Sequence, residues 1–240
     1  MNKIGMIGGF GPESTLDYYR LLIETYRRET KNENSPEIII YSMDINILLN
    51  LVANKQWDDL TQWLVNGIKV LHKVGADFAF ISANTPHIVF DKVNELSPIP
   101  LLSIVDETCN YIKKLGLKKV GLLGTKFTME SEFYQKACNK NNIEMLVPSE
   151  SDQAYIHNKL MTEIELGNFL DETRKGLLDI IKRMIEDNSI EGIILGCTEL
   201  PLILTKGELG IPFLNTTEIH VESIIKYYVH INTDNSKITE

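Results

Sequence analysis

Apolar residues along this chain fall into short unbroken runs separated by longer stretches with helical spacing. Lys3–Gly8 is the first run, and a helical period follows from about Ser14 to Arg28. Glu37–Tyr41 and Asp77–Ile81 are further runs, with a helical stretch over Trp57–Val74 between them. The second half continues with Leu101–Ile104, a helix over Glu107–Leu115, Lys119–Leu123, a helix over Glu130–Lys140 and Glu144–Val147. A helix over Phe169–Asp187, strands at Gly192–Leu195 and Phe213–Asn215, and a last helix from Ile219 complete it. Alternation of this kind predicts an α/β fold with parallel sheets covered by helices on both faces. Glu37–Tyr41 and Gly192–Leu195 lack polar alternation, which predicts that both faces of each strand are buried.

The pattern also repeats. Lys3-Ile4-Gly5-Met6-Ile7-Gly8 returns as Lys119-Val120-Gly121-Leu122-Leu123-Gly124, 116 residues on. The run ending in Ala83-Asn84-Thr85 returns as the run ending in Cys197-Thr198-Glu199 after 114 residues, and Ile99-Pro100-Leu101 as Ile211-Pro212-Phe213 after 112. Three matches in one order at nearly one offset predict a duplicated α/β unit. The expected division is residues 1–104 plus 215–240 as a first domain and 105–214 as a second. Two pseudo-symmetric Rossmann-like domains would then place their strand ends at a common cleft, since ligands in open parallel sheets bind beyond those ends.

Composition narrows the function class. A net charge of −9 with no cluster of Lys and Arg speaks against a nucleic-acid groove and for a small-molecule partner. The N-terminus enters a strand pattern directly and no apolar run approaches membrane-spanning length, so the expectation is a cytoplasmic protein with no membrane association. The three cysteines, Cys109, Cys138 and Cys197, show neither a disulfide framework nor metal-ligand spacing, and no metal is expected.

Candidate chemistry gathers where strands meet helices. Gly8-Gly9-Phe10-Gly11-Pro12-Glu13-Ser14-Thr15 is a glycine-rich turn, neither of the common nucleotide signatures, in which Gly9, Phe10, Ser14 and Thr15 could contact an anion or simply close a turn. Thr125 and Thr128 occupy the corresponding turn of the second half. Asn84, Thr85, Thr198 and Glu199 offer amide, hydroxyl or carboxylate groups at strand ends, a set suited to a ligand carboxylate. Cys197 stands before a helix start, a position expected to favour its thiolate. His87 could orient its loop, donate a proton or pack, while Cys109, Cys138, Trp57 and Trp63 read as core. Glu218 and His220 read as caps of the last helix.

Taken together, the Gly8–Thr15 turn, Asn84-Thr85-Pro86-His87, Gly124–Thr128, Gly196-Cys197-Thr198-Glu199 and the Ile211–His220 segment resemble the aspartate/glutamate racemase family over essentially the whole chain. The resemblance implies amino-acid racemisation without pyridoxal phosphate or metal, by two cysteines that remove and return the α-proton. It also implies a homodimer, carboxylate donors at Asn84, Thr85, Thr198, Thr125 and Thr128, and tuning of the thiol by Glu199 and His87. Glu199 resembles the aspartate branch, where the glutamate branch has His.

The chain departs from the family pattern at Ala83, which occupies the place of the first cysteine. A methyl group carries no exchangeable proton. Three readings stay open: a racemase in which that cysteine has been replaced, a one-thiol enzyme similar to the arylmalonate decarboxylases of the same superfamily, or an amino-acid-binding protein. A second departure concerns the substrate side chain. The segment Met43–Trp57 holds no Arg, and Glu165 stands three residues before Asn168, where some aspartate racemases have a Lys for the distal carboxylate. Glutamate, or a broader or cationic amino acid, therefore remains open.

Overall fold

Strand β1, Ile4–Gly8, is buried along its whole length because it pairs on both sides. In the computed structural model, which describes residues 2–204 and 208–238, it lies parallel to β2 (Ile38–Ser42) and to β3 (Phe78–Ile81). Strand β4, Leu101–Leu102, completes a sheet of order β2-β1-β3-β4. Helix α1, Pro12–Thr30, lays Tyr18, Leu22 and Tyr26 on one face at successive i+4 positions. They pack with Ile4, Met6, Phe78 and Phe80 of the sheet and with Val221, Ile224, Ile225 and Tyr228 of the last helix, α11 (Thr216–Ile238). Helix α3, Trp57–Lys73, covers the other face with Leu60, Leu64, Val65, Ile68 and Leu71. Each such fully buried side chain contributes about 1.5–3 kcal/mol of burial free energy before entropy is counted.

One expectation fails at the sheet edge. The run Glu37–Tyr41 was expected to be buried on both faces, yet β2 is an edge strand whose Ile40 and Tyr41 remain 41% and 39% exposed. An apolar run does not distinguish a central strand from an edge.

The second sheet has the same order, β6-β5-β7-β8, and is also parallel. Its strands are β5 (Lys119–Leu123), β6 (Glu144–Leu146), β7 (Gly192–Leu195) and β8 (Phe213–Asn215). Among its helices, α9 (Asp171–Asn188) contributes Leu177, Ile180, Ile181 and Met184 to a core shared with Leu123, Ile193 and Leu195. By Cα proximity the chain divides into Met1–Glu107 with Thr217–Glu240, and Thr108–Thr216. The helix expected over Glu130–Lys140 is present as α7 (Glu132–Lys140), and an extended Ser131 separates it from the short α6 (Lys126–Glu130) before it. The helices α2 (Ile45–Ala53) and α8 (Glu150–Thr162) were not anticipated, and the helix expected after Thr85 takes the form of a 3-10 turn over Thr85–Val89 followed by α4 (Phe90–Leu96). In α8 only Gln153, Ile156 and Leu160 are buried, too few to stand out as an apolar stripe. The remaining helices are α5 (Ile104–Leu115) and α10 (Leu200–Ile203). No helix among the described residues is long and apolar enough to cross a membrane.

The first glycine-rich turn is shaped by close packing. Gly9 has φ +89°, and a Cβ there would stand 2.1 Å from the Met43 carbonyl oxygen and 2.7 Å from the Met43 nitrogen. Gly9→Ala is expected to lower stability by at least about 2 kcal/mol, because the backbone conformation alone is unfavourable for an L-residue and the clash adds to it. A urea midpoint that does not move would show that the Met43 segment gives way freely.

Candidate active site

In the Thr108–Thr216 unit the strand end of β7 is tightly held. The Gly196 N–H donates to the Leu123 carbonyl at 2.7 Å, and a Cβ at Gly196 would meet that oxygen at 2.9 Å. The next residue, Cys197, is 8% exposed. Its thiol donates to Glu199 Oε2 at 3.0 Å, and the Thr198 hydroxyl donates to the same oxygen at 2.9 Å. Glu165 arrives from the turn Ile164–Leu166 that follows α8. One carboxylate oxygen from each glutamate and the Cys197 Sγ all lie within 4.8 Å of one another.

At Cys197 and Glu165 the electrostatics favour the protonated form. Burial pushes the Cys197 thiol well above its ordinary pKa, and the Glu199 carboxylate adds to this by its charge and by accepting the S–H. The Glu199 backbone N–H works the other way and is outweighed. Glu165 belongs to an exposed turn, but its carboxyl end faces inward; burial of that end, then the charge of Glu199, raises its pKa to about 7. The expected helix-terminal thiolate is therefore corrected. Helix α10 begins three residues after Cys197 and is only four residues long, too short to offset the burial and the two carboxylates. The trio could offer one sulfur and two oxygens to a cation, but with the thiol hydrogen directed at Glu199 it is arranged for sharing a proton.

Thr125 caps α6, accepting the Thr128 N–H at 3.3 Å, and the two hydroxyls lie 3.1 Å apart. Thr128 is buried, with its methyl carbon 3.4 Å from where a Gly196 Cβ would stand. The threonine turn is thus a neighbour of the Cys197 strand end.

The other unit repeats the local construction. The Ser82 N–H donates to the Ile7 carbonyl at 2.9 Å, as Gly196 does to Leu123, and Ala83 follows Ser82 as Cys197 follows Gly196. Ala83 is half-buried. Its carbonyl accepts from His87 Nδ1 at 2.9 Å, and His87 Nε2 accepts the Ile104 N–H at 3.3 Å, which fixes the neutral tautomer. His87 is buried and stacks on Phe90 at 4.9 Å. Burial lowers its pKa to about 4 although its backbone hydrogen bonds favour the cation. With both ring nitrogens taken, His87 orients the Ala83 loop; proton donation is not among its roles.

Asn84 is buried and Thr85 half-buried at the start of the 3-10 turn Thr85–Val89. Thr15 accepts the Gly9 N–H at 2.9 Å and donates to the Gly11 carbonyl at 3.1 Å. Ser14 donates to the Ser82 carbonyl at 3.1 Å, and Phe10 tilts against Trp63 at 5.8 Å. The hydrogens of both hydroxyls therefore close the turn and tie α1 to the residue before Ala83. His220, expected as a cap, is instead fully buried: its Nε2 donates to the Leu102 carbonyl at 3.2 Å and its Nδ1 accepts the Tyr18 hydroxyl at 3.0 Å. Nothing in the local sequence announced that pairing, whose partners are 202 residues apart. Cys109 and Cys138 are buried with their sulfurs 3.6 Å apart, as core residues.

Comparison with known proteins follows this construction over its length. The profile of the family described as Asp/Glu/Hydantoin racemase matches residues 7–224. The chain is 26% identical over 229 residues to the broad specificity amino-acid racemase RacX of Bacillus subtilis strain 168, covering 94% of this chain and 98% of that protein. An aspartate racemase homologue from Pyrococcus horikoshii OT3 superposes with a TM-score of 0.85 at 36% identity, covering 95% of this chain and 99% of that one. The Picrophilus torridus aspartate racemase gives 0.73 at 25% identity, covering 95% and 94%. By its sequence from residue 7 to residue 224 and by its paired α/β units, the chain belongs to the Asp/Glu/hydantoin racemase family.

Proposed function

We propose that this protein acts at the α-carbon of an amino acid by proton transfer through Cys197, without pyridoxal phosphate or metal. The observation that carries the reading is the Cys197–Glu199 hydrogen bond of 3.0 Å at a buried strand end, in a chain of a racemase family. Glu199 accepts the thiol proton, the thiolate so formed takes the α-proton, and the bond electrons remain on the α-carbon. Return of a proton from the same sulfur regenerates the starting enantiomer with its α-hydrogen exchanged. Asn84, Thr85, Thr125 and Thr128 are the donors proposed for the substrate carboxylate, where they stabilise charge developing in the transition state, while the Thr198 hydroxyl gives its hydrogen to Glu199. Inversion needs a second proton donor, and position 83 carries a methyl group. The chain is accordingly a one-enantiomer exchanger on a racemase scaffold.

In deuterated water, one enantiomer of a substrate amino acid is expected to lose its α-proton signal by NMR while its mirror image does not. Cys197→Ser should reduce that exchange about 10²–10⁴-fold, the usual range for removing a positioned acid or base. Exchange unaffected by Cys197→Ser would refute the assignment.

A second reading has one observation in its favour. A thiol held in its protonated form is poised to protonate an enolate, the step a one-cysteine decarboxylase needs. Carbon dioxide release from an arylmalonate, lost in Cys197→Ser, would establish that activity; silence across a malonate panel would dismiss it.

A further inference from the structure

We propose that Cys109 and Cys138 are a redox-sensitive pair, whose two thiols close to a disulfide when a small peroxide reaches them. Neither residue belongs to the buried cluster around Cys197, so the pair stands apart from the proton-transfer reading.

Cys109 lies on α5 with Val105, Thr108 and Ile112 on the same buried face, and Cys138 lies on α7 with Tyr134 and Ala137. Both spacings are those of a single helix face turned inward. The two helices bring the sulfurs to 3.6 Å, a contact distance, although 29 positions separate the residues along the chain. Both are thiols and both are fully buried. One buried cysteine behaves as a small apolar side chain. Two sulfurs in contact can do more. A disulfide needs them about 2.05 Å apart, so an approach of about 1.5 Å, the scale of a modest χ1 rotation on each side, joins them.

Burial selects the oxidant. Hydrogen peroxide is scarcely larger than water and enters through the brief local openings of a folded chain, whereas a glutathione-sized molecule is held out. One sulfur attacks the peroxide: an S–O bond forms, the O–O bond breaks, and water leaves with the thiol proton. The second sulfur then displaces the sulfenic oxygen: the S–S bond forms, the S–O bond breaks, and a second water leaves with the second proton. Each sulfur gives up one electron and each peroxide oxygen takes one. The second step is fast because the partner is already in place, at an effective concentration no free thiol reaches. It halts the first sulfur at the disulfide, ahead of sulfinic acid. The bridge closes a span of 29 residues, and loop entropy then favours the folded form of the Thr108–Thr216 unit on the order of 10²–10³-fold.

In the full chain carrying Cys197→Ser, these two are the remaining cysteines. The folded protein can be treated with a modest molar excess of hydrogen peroxide, digested and mapped by mass spectrometry. The expected product is a monomer in which the Cys109 and Cys138 peptides are linked, lighter by two hydrogens than the reduced form and restored by dithiothreitol. The unsubstituted chain gives the same readout, because linked peptides are identified one by one. Amide hydrogen exchange in α5 and α7 should slow at least about tenfold on oxidation and recover on reduction. Cys138→Ala, or Cys109→Ala where that variant does not fold, should abolish both effects. Sulfinic or sulfonic acid at either position without the link would overturn the proposal, as would links between chains. Thiols that stay intact in the folded protein and join only after unfolding in urea would overturn it equally, since the native contact would then play no part.

Discussion

Ala83→Cys is expected to convert one-sided exchange into racemisation, with the rate of inversion rising at least about 10²–10⁴-fold over the parent chain. The two strand ends are locally alike. Ser82 and Gly196 donate to the carbonyls of Ile7 and Leu123, and positions 83 and 197 come next in the chain. Ala83 is half-buried, so a sulfur added to it enters space that is not closed off by core packing. Chiral chromatography of each enantiomer incubated with Ala83→Cys should show the other appearing, and adding Cys197→Ser should stop it. Ala83→Ser is the control of similar size, and its hydroxyl is too weak an acid to replace the thiol. A folded Ala83→Cys protein that still exchanges one enantiomer but yields no inversion would refute the placement of the second proton donor at position 83.

A fall in stability on mild acidification is the second large effect expected, and it comes from His87 and His220. Their pKa values are lowered from 6.5 to about 4 and about 3, first by burial, and for His220 next by the charge of His87. The unfolded chain therefore binds these protons first as pH falls. Stability is complete above about pH 6.5 and is lost progressively toward pH 4, on the order of 3 kcal/mol for His87 alone. The reason is geometric: a protonated His87 would point Nε2–H at the Ile104 N–H, donor against donor. Glu165 has the opposite sign, since its raised pKa makes the folded form bind the proton more readily, but it lies in the other unit and is partly screened by solvent. Both tryptophans, Trp57 and Trp63, lie in α3, so fluorescence-detected urea unfolding follows the histidine-bearing unit. The urea midpoint should fall between pH 6.5 and 5, above the range of ordinary carboxylates, and His87→Gln should flatten the dependence. A midpoint constant over that interval would contradict the burial of neutral histidines.

Much of the fold was legible because strands such as Gly192–Leu195 and helices such as Trp57–Lys73 carry strong local patterns. Helix α8 was invisible because its few buried residues make no stripe, and β2 was misjudged because exposure depends on which strand happens to stand at the edge. At the candidate site the sequence brought out Cys197 and Glu199 as one motif but could place Glu165 beside them only through a family resemblance. Glu165 and Cys197 are 32 residues apart, and the turn that joins them in space has no local signature. The state of the thiol was misjudged for a related reason. Sequence shows that a helix follows, whereas its length and the charges brought in from elsewhere decide which form of the sulfur prevails.

The return of the chain from Thr217 onward to its first unit sets an order of assembly. Val221, Ile224, Ile225 and Tyr228 complete the core around Ile4, Met6, Phe78 and Phe80, so the part of the protein that leaves the ribosome first is the last to be finished. Roughly 110 intervening residues must be synthesised in the meantime, a delay of about 5–20 s at common elongation rates. During that interval Ile4, Met6, Phe78 and Phe80 are covered by Tyr18, Leu22 and Tyr26 of α1 but not by α11, and the apolar surface that α11 later takes is open to water or to a chaperone.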